Sequence, residues 1–232
     1  MKCFASSNDY SETIPDIQSF LTTGSIVLRT LVIDHNLACH PDSPLSISDL
    51  RNLVLSITFP SVSSLMQLLE GSQKLESLRL EVHSGGDVLS GAFRSYSGPG
   101  LFPALREFSF IRWGPDDEEE EDPDLFPAVA EVVRGHPMLE MLSLSYRGGS
   151  LNPEDYGYDA ALWGVLPSLV HLRTLSMDVP EDLLPDLFGW LIPRTVVALE
   201  FRVTSWEVDY AVCISPYPNT QCSSSYESSN CC

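Results

Sequence analysis

The chain has 232 residues, and 32 acidic side chains outnumber 13 basic ones, giving a net charge of −19. That balance disfavours nucleic acid, whose binding depends on neutralising phosphates with Lys and Arg, and equally disfavours an anionic membrane surface. Apolar residues make up 44%, enough for a core, while no window approaches the roughly 18 uncharged apolar residues of a membrane span.

From the amino end, residues 1–13 are polar and read as a flexible extension, with none of the apolar stretch of a secretory signal. The cytoplasm or nucleus is the expected compartment. Cys3, Cys39, Cys213, Cys222, Cys231 and Cys232 avoid the body of the chain, where a disulfide framework would spread them, so reduced thiols are expected. Ile14, Ile17, Phe20 and Leu21 fall at helical spacing, with Pro15 in the first turn and Gly24 as a stop.

A phrase of the form L-x-x-L-x-L then begins and recurs. Its copies are Leu28-Leu31-Ile33, Leu50-Leu53-Leu55, Leu75-Leu78-Leu80, Leu105-Phe108-Phe110, Leu139-Leu142-Leu144, Leu172-Leu175-Met177 and Val196-Leu199-Phe201. In a strand alternate side chains share a face, so the last two apolar positions of each copy point one way and their neighbours the other. One short strand cannot bury its apolar face alone, whereas stacked copies make a continuous core. Copies start 22 to 34 residues apart, around the roughly 20–29 residues of a leucine-rich repeat.

Amphipathic segments precede several copies: Val62, Leu65, Met66, Leu68 and Leu69; Phe126, Val129, Ala130, Val132 and Val133; Ala161, Leu162, Val165 and Leu166; and Leu183, Leu184, Leu187, Phe188 and Leu191. Pro103, Pro137 and Pro167 mark the loops between helix and strand. Alternating helix and strand predicts an α/β leucine-rich-repeat solenoid over residues 14–204. It has about seven irregular repeats, parallel strands on a concave face and helices on a convex one. The consensus asparagine appears only as Asn36; Thr58, His83, Trp113, Arg147, Pro180 and Thr204 occupy the same offset in the other copies.

Two insertions stretch the repeats. Gly85 to Gly100 reads as a flexible loop. The second insertion, 114–124, carries an acidic run of Asp116, Asp117, Glu118, Glu119, Glu120, Glu121 and Asp122. Such dense like charge stays solvated, and it could hold a basic partner; it lacks the glycine-punctuated ligand loop of an EF-hand. Residues 205–232 read as a disordered Ser/Cys-rich tail. Its break in composition fits a joined exon or read-through as well as a functional end, and Cys231-Cys232 has no GTPase motif beside it.

The motifs of chemistry are absent. There is no phosphate-binding G-x-x-x-x-G-K-[ST], no G-x-S-x-G elbow and no H-E-x-x-H. His35, Cys39 and His40 crowd together without a second ligand pair at finger-like spacing, so they read as loop residues. No catalytic, cofactor-binding or metal-binding residues are assigned, and no cofactor is expected. What remains is surface. The centre of the concave wall should be Val32, Val54, Arg79, Ser109, Ser143, Ser176 and Glu200, flanked by Thr30, Asn52, Ser77, Glu107, Met141, Thr174 and Ala198. Arg79 and Met141 are its anchor-like side chains, and Trp113 could add a rim contact.

The phrases Leu75 to Leu80 (LESLRL), Pro103 to Phe110 (PALREFSF) and Pro167 to Met177 (PSLVHLRTLSM) resemble the leucine-rich repeats of fungal F-box-like proteins over residues 14–204. The resemblance implies repeats that hold a ubiquitin-ligase substrate, while an amino-terminal F-box engages a Skp-type adaptor. No F-box phrase precedes the first repeat, and Leu184-Pro185-Asp186-Leu187-Phe188, which faintly echoes one, sits in a repeat helix slot. The similarity therefore reaches the substrate-binding half, and an adaptor would need an F-box upstream. The expected function is a non-enzymatic protein–protein interaction module. The alternative is a free-standing scaffold or regulator that binds a basic protein through the acidic loop; a hydrolase on an unrecognised fold is the third reading.

Overall fold

A computed structural model describes residues 2–5, 29–34, 49–57, 69, 72–83, 89–96, 102–113, 122–147, 163–180, 191–204 and 210–214. Each copy of the phrase becomes a strand: β2 (Thr30–Asp34), β3 (Asn52–Ile57), β4 (Ser77–Val82), β5 (Glu107–Trp113), β6 (Met141–Arg147), β7 (Thr174–Pro180) and β8 (Ala198–Thr204). With β1 (Lys2–Ala5) and β9 (Tyr210–Ile214) they form one nine-stranded sheet whose spatial order is the chain order. β1 to β8 are parallel, and β9 returns antiparallel to β8.

The strands pair without stagger, so equivalent phrase positions line up. Leu31, Leu53, Leu78, Phe108, Leu142, Leu175 and Leu199 form one rank; Ile33, Leu55, Leu80, Phe110, Leu144, Met177 and Phe201 form the next. From Leu53 to Leu175 in the first rank, every side chain is at most 2% exposed. Burying a leucine or phenylalanine stabilises by about 1.5–3 kcal/mol, so a one-residue slip, which would turn both ranks to solvent, is strongly opposed.

The backbone sets the same register. Before five strands a tight turn closes with an i to i+3 hydrogen bond, from Leu75, Leu105, Leu139, Leu172 and Val196 to the carbonyls of Ser72, Phe102, His136, Leu169 and Pro193, at 3.0–3.1 Å. The next two amides then share one carbonyl of the preceding unit. Arg51 and Asn52 donate to Arg29, Glu76 and Ser77 to Arg51, and Arg106 and Glu107 to Glu76, and the pattern continues to Val197 and Ala198 on Arg173. Phe102 takes a left-handed φ of 54° to make its turn, a conformation that costs a non-glycine residue about 1–2 kcal/mol. It is held there because its ring is buried and stacks on His136, with centroids 6.2 Å apart.

Helices cover the core face of the sheet in the middle units. The helix expected around Phe126 to Val133 is present as α2 (Leu125–Arg134), with α1 (Leu89–Tyr96) before it. The α1 helix corrects the reading of 85–100 as a flexible loop. Leu89 and Phe93, one helical turn apart, are buried, and the Phe93 ring meets Phe110 edge-on at 5.6 Å. Phe126 of α2 meets the same Phe110 ring at 5.7 Å. The Ser90 amide donates to the Asp122 carboxylate at 3.1 Å, and Arg94 grips Asp124 with two nitrogens at 3.0 and 3.1 Å. The second insertion therefore secures the helix in the first.

Two further strands lie where none was expected. β1 falls inside the extension 1–13, and β9 inside the tail 205–232. Both extend a sheet whose terminal strands would otherwise present unpaired N–H and C=O groups. Of the segment around Ala161 to Leu166, Trp163 is helical, and Leu166–Ser168 forms a single 3-10 turn. The helices expected at 14–21 and 183–190, the one at 62–69 apart from helical Leu69, the His35–Cys39–His40 cluster and the phrase at 184–188 lie outside the described residues.

Candidate functional site: the outer face of the sheet

Opposite the core face, the expected centre of the recognition surface is one rank across seven strands: Val32, Val54, Arg79, Ser109, Ser143, Ser176 and Glu200 are register partners in succession. Met141 lies in the neighbouring rank between Glu107 and Thr174. Arg79 is exposed and most of the others are half-buried, but Ser109 is buried at 7% exposure, which corrects its place on an open wall. Several polar groups are paired along the face. Arg79 Nε donates to Glu81 at 2.6 Å, Ser176 to Glu200 at 3.0 Å and Asn52 to Thr30 at 3.3 Å. In the acidic run, Asp116 to Glu121 lie outside the described residues, and Asp122 accepts the Ser90 amide through one carboxylate oxygen.

The face continues past the phrase, toward the carboxyl ends of the strands, and there its chemistry is richer. Between β6 and β7 the ladder stops at Leu144 and Met177, whereas β5–β6 runs on to Trp113 and Arg147, and β7–β8 to Pro180 and Thr204. The Asp178 carboxylate fills the break, accepting the Ser145 hydroxyl at 2.5 Å and the Tyr146 amide at 2.7 Å through one oxygen. Asp178 is 4% exposed. Burial pushes its carboxyl above the usual range, opposed by those two hydrogen bonds and by the charges of Arg202 and Arg147.

Two residues further along the strands, His83 just past β4, Trp113 of β5 and Arg147 of β6 stack on one another. The His83 and Trp113 rings lie 5.3 Å apart and 8° from parallel, and the Arg147 guanidinium sits 5.4 Å from the Trp113 centroid. Both faces of the indole are thus occupied by this chain, leaving its edge. Among the described residues, Trp113 Nε1 and Arg147 Nε are buried without a hydrogen-bond partner. Sequence reasoning offered Trp113 as a rim contact, placed Arg147 only by its repeat offset, and missed Asp178 and Ser145. The available signal was alternation running one to three residues beyond the phrase, through Ser145 and Arg147 after Leu144 and through Asp178 after Met177.

Ser56 Oγ and His83 Nε2 are 2.9 Å apart, within nucleophile–base distance. Ser56 lies on β3 at its last register pair with β2, opposite Asp34, and next to its last with β4, opposite Glu81. His136 donates Nδ1–H to the Val132 carbonyl at 2.6 Å, a buried packing contact. No three His, Cys, Asp or Glu side chains among the described residues are grouped to hold a metal ion.

Charge is distributed unevenly. All 13 Lys and Arg residues are among the described residues, together with 11 of the 32 acidic ones. The described body is therefore slightly basic, and the whole negative excess belongs to the rest of the chain. At the amino-end rim of the sheet, Arg51 binds Glu76 at 2.6 Å, Arg106 pairs with Glu140 and Lys74 with Asp49, all exposed. Among the described residues, no helix is long and apolar enough to cross a membrane.

The fold thus defines an α/β protein with an open, mainly parallel sheet, polar on one face. No family model matches the chain, and no curated protein or solved structure matches it either.

Proposed function

We propose that this chain is a non-enzymatic protein-binding module, a leucine-rich-repeat solenoid of irregular units whose outer strand face receives the partner. The observation carrying this reading is the in-register rank from Val32 to Glu200. It sets seven side chains on adjacent strands, polar through its middle, over a backbone fully used in pairing. Such a face offers a partner a broad array of side chains, with Arg79 exposed and most of the others half-buried. On this reading the module serves as the substrate-recognition part of an F-box-type ubiquitin-ligase receptor in the cytoplasm or nucleus. A Skp-type adaptor would bind only a form carrying an F-box.

Affinity capture with the wild-type chain, with Ser143→Arg and Ser176→Arg on the outer face, and with Arg134→Glu at the exposed end of α2, tests the assignment. The same protein should be retained by wild type and Arg134→Glu and lost by both outer-face variants. Retention by all four, or loss only with Arg134→Glu, would remove the outer face from recognition. The charge partition favours a second reading, a scaffold that holds a basic protein through its acidic segments. That reading requires capture to weaken steeply with salt and to vanish when residues 116–122 are neutralised.

A further inference from the structure

Buried polar groups in native proteins are almost always hydrogen-bonded, and each exception calls for a physical reason. Trp113 and Arg147 are register partners on β5 and β6, and each carries a buried N–H without an acceptor among the described residues. Both groups are donors only. Leaving such donors dry costs stability, which an incoming acceptor would recover.

The surroundings narrow what that acceptor can be. His83 covers one face of the Trp113 ring and Arg147 covers the other, so the ring is no stacking platform, and an acceptor reaches its buried edge N–H only by displacing what covers it. The Arg79 and Arg202 guanidiniums lie near carboxylates of their own strands, Glu81 and Glu200. Arg147 has no such ion pair among the described residues; the acid close enough to feel it is Asp178, whose burial favours the neutral form. A positive, planar donor group beside an indole N–H suits a carboxylate, whose two oxygens can accept from both.

We propose that the Trp113–Arg147 corner of the outer face is a subsite for an acidic side chain, Asp or Glu, of the docked protein. This deepens the outer-face docking reading and rests on it. The two are tested with different residues, so one can fail without the other.

The test is an amide and indole NMR titration of the full chain. The probes are the acetylated peptide amide Glu-Asp-Glu, its neutral counterpart Gln-Asn-Gln, and inorganic phosphate. The Trp113 indole N–H signal is assigned by its disappearance in Trp113→Phe. The proposal requires a saturable shift of that signal with the acidic peptide and none with the neutral one. Affinity should weaken at least fivefold in Arg147→Gln and by less in Arg147→Lys, which keeps the charge but loses the Nε donor. Should Arg147→Gln lose the dispersed spectrum of a folded chain, the Arg147 Nε–H signal read in Trp113→Phe supplies the same titration.

Absence of a shift, or an equal shift with the neutral peptide, overturns the subsite. A larger shift with phosphate overturns the carboxylate assignment. A change in the peptide-free Trp113 signal on replacing residues 116–121 by Asn and Gln would show that the chain's own acids occupy the corner, and would overturn assignment to a partner.

Discussion

Replacing Asp178 tests whether the break between β6 and β7 is built around a buried carboxylate. One oxygen of Asp178 receives both the Ser145 hydroxyl and the Tyr146 amide. Asp178→Ala leaves both buried donors without that acceptor, at about 1–3 kcal/mol each, so a loss of about 2–6 kcal/mol is expected. Asp178→Asn keeps a carbonyl oxygen for both and removes the charge, so at pH 7 it should lie within about 1 kcal/mol of the parent or above it.

The pH dependence separates the two effects. Because burial raises the Asp178 pKa, the folded state holds its proton where the unfolded state has released it. Stability is then fully present below the unfolded value of 3.8 and is lost as pH rises from there through the folded pKa. The parent should therefore gain on Asp178→Asn as pH falls toward 4, and lose that gain toward neutrality. Urea denaturation followed by circular dichroism, at a series of pH values, measures the difference with the other carboxylates common to both proteins. An Asp178→Ala variant as stable as the parent, or a parent-minus-Asn difference flat with pH, would refute the reasoning.

Further outcomes follow from other contacts. Phe110 is fully buried between Phe93 and Phe126, so Phe110→Ala should cost about 3–5 kcal/mol in urea denaturation and speed hydrogen exchange in α1. Asp122→Ala removes the side-chain acceptor at the start of α1; a loss of about 1 kcal/mol and faster exchange of the Ser90 amide are expected. Glu140→Gln, at an exposed pair with Arg106, should move stability by less than about 1 kcal/mol, with even that removed at high salt.

How far the sequence discloses this structure depends on the range of the interaction concerned. The strands were legible because the phrase from Leu75 to Leu80 carries its own period of two, and zero-stagger pairing repeats it on each neighbour. The α1 helix was hidden among Gly85, Gly86, Gly91, Gly98 and Gly100. Its local signal is one apolar pair, Leu89 and Phe93, too short a run for a helix stable alone. Its support comes from Phe110, Asp122 and Asp124, which are remote in sequence.

The site was less visible for a related reason. Arg79, Ser143, Ser176 and Met141 could be placed by counting along the phrase. The burial of Asp178 could not, because it is produced by neighbours on β6 some thirty residues away. Net charge also gave a partial picture: −19 describes the whole chain, while the described residues are slightly basic.

The most direct test of the central claim is site-specific photo-crosslinking in cell extract. A benzophenone side chain would be placed at Ser143 or Ser176 on the outer face, and at Arg134 or Ala104 away from it. Outer-face docking predicts one shared adduct from Ser143 and Ser176 and none of that mass from Arg134 or Ala104. The same adduct from Arg134 or Ala104, with none from Ser143 and Ser176, would contradict it.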